Sequence, residues 1–192
     1  MNNIVYFDLE VSKNGKILDI GAVNQNGDTF HSSVLGAFME FISSADYLCG
    51  HNIITHDICY LKPYLRKSYK LIDTLYLSPI LFPERPYHNL VKDDKILSDQ
   101  LNNPLSDSLK AKQLFEDEME RFKSLPENVK KAYFSLLHDN SHFNGFFDYA
   151  QYNINRFAYL FNSKEYIISD VLKGMICSNA DIGRIVNGHP TE

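Results

Sequence analysis

Ile4-Val5-Tyr6-Phe7-Asp8-Leu9-Glu10 is apolar except for two acids spaced two residues apart. Such a run has the length and residue types of a buried strand. Successive side chains in a strand point to opposite faces, so Asp8 and Glu10 share one face and Leu9 takes the other. Two buried carboxylates side by side repel each other and lose hydration. A hard divalent cation such as Mg²⁺ or Mn²⁺ removes both problems, because it prefers oxygen donors. Seen alone, the same pair is also what an edge strand with solvated acids would show.

Working outward, the early chain alternates strand signals and turns. Further strands are expected at 16–23 and 29–34, with turns at Gly15 and Asn26-Gly27. A helix is expected at 37–43, a short buried strand at 47–49, a helix at 58–67 and a strand at 71–73. A loop rich in breakers follows, with Pro79, Pro83, Pro86 and Asn102-Asn103-Pro104. From Leu105 the pattern turns amphipathic and helical, with Leu109, Leu114, Phe115 and Phe122 on one side. Strands first and βα units later imply an α/β fold with a mixed sheet flanked by helices. Residues 1–123 read as this core and 124–192 as a helical appendage. There Pro126 suits a first turn, and the many aromatics read as core rather than as a platform for bases. The ending Gly188-His189-Pro190-Thr191-Glu192 lacks a closing element, as expected of a piece of a longer protein.

Composition narrows the class. The chain has 192 residues, 44% hydrophobic and 22% charged, the balance of a globular protein. No apolar run approaches a membrane span and no signal pattern opens the chain, so a cytoplasmic protein without a membrane partner is expected. Cys49, Cys59 and Cys177 have neither zinc-like nor disulfide-like spacing. A net charge of −5 argues against a protein that coats duplex DNA by electrostatics alone. It leaves room for a metal centre, whose carboxylates lower the formal charge.

Two further acids join the first pair. Asp57 ends Gly50-His51-Asn52-Ile53-Ile54-Thr55-His56-Asp57 at an expected helix start, and Asp107 lies in the first turn of the helix after Pro104. Either could be a plain helix-capping acid. Taken in order, the segments resemble the motifs of the DEDD exonucleases of the DnaQ-like superfamily. Phe7-Asp8-Leu9-Glu10 resembles the first motif, Asp19-Ile20-Gly21-Ala22-Val23 the second strand, Gly50 through Asp57 the second motif, and Asp107 with Ser108 and Ala111 the third. The resemblance covers roughly residues 3–120. It implies a ribonuclease H-like fold in which Asp8, Glu10, Asp57 and Asp107 hold two Mg²⁺ or Mn²⁺ ions. It further implies release of nucleoside 5′-monophosphates from the 3′ end of a strand, with Leu9 and Asn52 near the terminal nucleotide.

The family's general base is missing from its usual places. The histidine-using branch places it five residues before the third-motif aspartate, here Asn102, and the tyrosine branch would need residue 103, also Asn. His88, in Pro86-Tyr87-His88-Asn89-Leu90, is the favoured substitute. A second register pairs it with Asp93, leaving open which aspartate completes the third motif. His51 and His56 are weaker choices. Phosphate contacts could come from Arg66, Lys67 and Lys70, or from Lys92, Lys95, Lys110 and Lys112, though a solvated face would look the same.

Residues 71–75, 86–93 and 102–104, with Ile176-Cys177-Ser178-Asn179-Ala180-Asp181, are similar to exonuclease domains that precede RecQ-type ATP-dependent DNA helicases. That likeness implies a DNA-repair context, with single-stranded DNA 3′ ends as substrate and a helicase fused after residue 192. The alternatives are a 3′–5′ exoribonuclease and a degenerate module that binds nucleic acid or a partner without cutting.

Overall fold

The apolar run opens β1, Ile4–Val11, which lies in the middle of a five-stranded sheet. A computed structural model describes residues 3–90 and 103–154. β2 (Ile17–Asn24) pairs antiparallel with β1, and β3 (Thr29–His31) antiparallel with β2. On the other side β4 (Tyr47–Gly50) and β5 (Lys70–Asp73) add in parallel, giving the order β3-β2-β1-β4-β5. The sheet is mixed and the class α/β. The edge-strand explanation for the two acids is thereby removed.

Parity behaves as the sequence demands. Val5, Phe7 and Leu9 are buried in one cluster with Phe38, Met39 and Ile42, at and just beyond α1 (Leu35–Phe41), and with Leu61 of α2 (Asp57–Leu61). Each such side chain contributes about 1.5–3 kcal/mol by leaving water. On the opposite parity, Tyr6 packs on Phe115 of α4 (Pro104–Ser124), with ring centroids 6.0 Å apart. Asp8 and Glu10 share that parity.

Gly21 of β2, the register partner of Asp8, is what lets α4 approach. A Cβ at Gly21 would overlap the backbone of Pro104 and Leu105. The start of α4 therefore crosses the sheet on bare backbone, which brings Asp107 toward Asp8. Asn103 caps this end, its Oδ1 accepting from the Leu105 and Ser106 amides, and Lys112 donates to the carbonyls of Asn24 and Gln25. Gly21→Ala should destabilise the protein by about 3 kcal/mol, the upper end for overpacking, because backbone cannot yield as a side chain can. Gly36→Ala, in open space in α1, should instead stabilise by up to about 1 kcal/mol. Urea unfolding of both variants checks the contrast.

Three expectations need correction. The strand expected at 29–34 ends at His31, where the Ser32 hydroxyl accepts from the Val34 amide and turns the chain. The helix expected at 58–67 ends at Leu61 and continues only as a 3₁₀ turn, Lys62–Tyr64, with Pro63 inside it. Residues 74–81, expected as loop, form α3 (Thr74–Leu81) despite Pro79. The Asp73 side chain caps α3 by accepting from the Leu75 amide at 3.0 Å, and buried Leu77 and Leu81 anchor it. A proline this late in a short helix removes a single backbone bond.

The described residues fall into two compact units that divide between Glu120 and Arg121. In the second, α5 (Glu127–Leu137) and α6 (Asn144–Tyr149) follow the end of α4. Phe122, Phe134, Phe146 and Phe147 are buried there in edge-to-face contacts, so these aromatics are core. The expectations for Lys92, Asp93, Lys95, Asn102 and everything after residue 154 lie outside the described residues. No helix among the described residues is long and apolar enough to cross a membrane.

Candidate metal centre

Asp8, Glu10, Asp57 and Asp107 line one cavity of about 630 Å³, together with Leu9, His51, Asn52 and His56. Three elements deliver the four acids. β1 supplies Asp8 and Glu10, the turn after β4 leads to Asp57 at the start of α2, and the first turn of α4 carries Asp107. Among the described residues, no three His, Cys, Asp or Glu side chains are drawn to the spacing of a closed metal cage. Asp57 is held from the other side, its Oδ1 accepting from the Leu9 amide at 2.9 Å. Asp107 lies 3.8 Å from the Lys110 ammonium.

Asp57 is 2% exposed, and burial pushes its carboxyl up to about 7. The Leu9 amide pulls it down, while Asp73 and Glu10 push it further up. His56 rather than Asp57 occupies the cap position of α2 and makes no side-chain cap bond, so plain capping does not explain the acid. His56 Nδ1 lies 3.4 Å from Asp57 Oδ2. The all-oxygen donor set and the raised carboxyl fit a hard divalent cation, which would reverse the repulsion.

The turn 51–56 is fastened by a residue whose role the sequence alone did not reveal. Asp73, fully buried, accepts from the amides of Asn52 at 2.7 Å and Ile54 at 3.0 Å while capping α3. Its sequence signal is an acid at a strand end just before a helix. Asn52 takes the left-handed conformation (φ 66°), which asparagine tolerates better than most residues. Gly50 allows the turn to pass, since a Cβ there would meet the Phe7 carbonyl and Ile53.

Three histidines were in question as bases. His51 and His56 line the carboxylate cavity; His88 does not. The His88 Nδ1 lies 2.9 Å from the Ser78 hydroxyl, in a neighbouring cavity. His51 Nδ1 lies 2.9 Å from Thr74 Oγ1, and that hydroxyl donates to the Gly50 carbonyl at 3.3 Å. With its proton committed, Thr74 must accept, so His51 carries its proton on Nδ1 and leaves Nε2 as an acceptor. Burial pulls the His51 imidazole down to about 4, so it is neutral at physiological pH. Compared with family models, curated proteins and solved structures, the chain matches none.

Proposed function

We propose that this chain is a metal-dependent 3′–5′ exonuclease of the DEDD type with a ribonuclease H-like fold, acting on DNA 3′ ends. The observation that carries this function is the convergence of Asp8, Glu10, Asp57 and Asp107 on one cavity from three separate parts of the sequence. The four would hold two Mg²⁺ or Mn²⁺ ions. What such cations supply is Lewis-acid stabilisation of an attacking water and of the leaving 3′ oxygen. The chain's own part is positioning. The Leu9 amide fixes the buried Asp57 oxygen, Asp73 fixes the turn that carries Asn52, and Thr74 orients the His51 ring through Nδ1. His56 is the more exposed imidazole beside Asp57 and the better placed to exchange a proton with solvent.

The test is digestion of DNA with a 3′ single strand in Mg²⁺ or Mn²⁺, following nucleoside 5′-monophosphate release. Asp8→Ala and Asp107→Ala should both abolish it; undiminished release in either variant would sink the proposal. RNA of the same sequence, run in parallel, separates the exoribonuclease alternative. The position of His88 outside the carboxylate cavity favours one further reading, a degenerate binding module. Calorimetric titration with Mn²⁺ decides between them, since that module would show neither metal binding nor hydrolysis. A fused helicase remains part of the proposal, checked by reading the coding sequence past Glu192.

A further inference from the structure

A second cavity, of about 560 Å³, adjoins the first through shared lining by Asn89 and Leu90. Its chemistry is different. The first is lined by four acids; the second is lined by Arg85, Lys110, His88 and Tyr87, with Ser78 holding the His88 ring. The acid in its lining, Asp117, accepts a hydrogen bond from Gln113 at 3.0 Å.

Two features in this cavity are arranged for a ligand that is part anion and part aromatic. The Arg85 guanidinium lies over the Phe82 ring at 3.8 Å, and its backbone is tied to the Phe82 carbonyl at 3.0 Å. Stacking of that kind orders a planar fork suited to a phosphate. Tyr87 is 82% exposed, the most exposed of the large hydrophobic side chains described, and it directly follows Pro86, with Pro83 three residues further upstream. An aromatic face left in water beside ordered cations is a platform for an unpaired base.

We propose that this second cavity seats the nucleotide next to the 3′-terminal one in a single strand, with Arg85 on its phosphate and Tyr87 against its base. The inference rests on the exonuclease proposal, deepening it by naming what holds the strand and why an unpaired strand is selected. A base paired in a duplex offers no free face to Tyr87. The two cavities then divide the work: the acidic one takes the scissile phosphate with its cations, and the basic one anchors the strand behind it.

The experiment is fluorescence anisotropy of a 5′-labelled oligothymidylate in EDTA, so that binding is read without cleavage. Tyr87→Ala should weaken binding by about tenfold, the loss of one stacked base, and Tyr87→Phe should restore it. Arg85→Ala should flatten the slope of log K against log salt by about 0.7, one single-strand phosphate contact. A duplex of the same length should show neither effect. Unchanged affinity and salt slope in both variants would overturn the subsite, as would a wild-type chain that does not bind the strand. Failure of the exonuclease proposal would show separately, as Asp8→Ala retaining hydrolysis. An oligouridylate arm reports whether the strand gripped is RNA rather than DNA.

Discussion

Asp57→Asn should yield a protein that is more stable without metal and inactive with it. Burial pushes the Asp57 carboxyl from the ordinary carboxylate value of 3.8 up to about 7 in the folded chain. A raised acid pKa means that the folded state binds the proton more tightly than the unfolded state. Its stabilising contribution is therefore present below about pH 4 and is lost as pH rises toward about 7. Above that window the ionised carboxylate costs up to about 4 kcal/mol, three pH units at about 1.4 kcal/mol each. Asparagine keeps an oxygen for the Leu9 amide and cannot ionise, so the variant should lose this pH dependence. Urea unfolding without metal, compared at about pH 4 and about pH 8, reads the difference as a slope, to which any packing change from the amide adds equally at both ends. Mn²⁺ should then stabilise the wild type, by about 2.7 kcal/mol at a hundredfold excess over its Kd, and leave the variant unmoved. Hydrolysis should fall by more than about a hundredfold, beyond what loss of a supporting residue at such a site produces. Parallel pH profiles for the two proteins would show that Asp57 carries no buried-charge cost. Failure of Mn²⁺ to stabilise the wild type would remove the metal centre.

How much of this was legible in the sequence depends on range. Strand parity at Asp8 and Glu10 is local, and it held because β1 is buried between two neighbours. The convergence of Asp57 and Asp107 on the same cavity is not local; sequence order and motif resemblance pointed to it, but the residue that permits it, Gly21, looked like any strand glycine. Only the approach of the Pro104 and Leu105 backbone gives that glycine its meaning. Asp73 was hidden in a different way. It ends a strand before a stretch expected as loop, so even its capping of α3 is hidden, and nothing nearby in sequence shows that it also holds the amides of Asn52 and Ile54 across the fold. His88 is favoured in the sequence only as a histidine on the loop just upstream of the third motif. Its direction is set by Ser78 on α3, a helix that Pro79 concealed.

Glu118→Gln should stabilise the protein at neutral pH, and more so as pH rises. Glu118 lies in α4, is fully buried, and neither of its oxygens has a hydrogen-bond partner among the described residues. Burial first, then the nearby Asp73, pushes its carboxyl up to about 10, with Arg85 pulling the other way. The group is thus neutral in the folded chain at pH 7 but ionised in the unfolded one. By the same sign as Asp57, its contribution is full below about pH 4.5 and is lost progressively as pH rises toward about 10. At pH 7 the loss amounts to about 3 kcal/mol, and it deepens by about 1.4 kcal/mol per further pH unit. Glutamine has nearly the same shape and no charge to lose, so the variant's advantage should vanish near pH 4 and widen in alkali. The location gives the acid a consequence beyond stability. Ionised Glu118 would stand against Asp73, whose carboxyl oxygens accept from the Asn52 and Ile54 amides in the turn that leads to Asp57. Alkaline inactivation of the wild type should therefore precede global unfolding, and Glu118→Gln should shift it to higher pH while leaving the neutral-pH rate unchanged. Hydrolysis rate and tryptophan-independent unfolding signals, such as far-ultraviolet circular dichroism, followed over the same pH series separate the two events. Coincident curves in both proteins would show that Glu118 acts on stability alone.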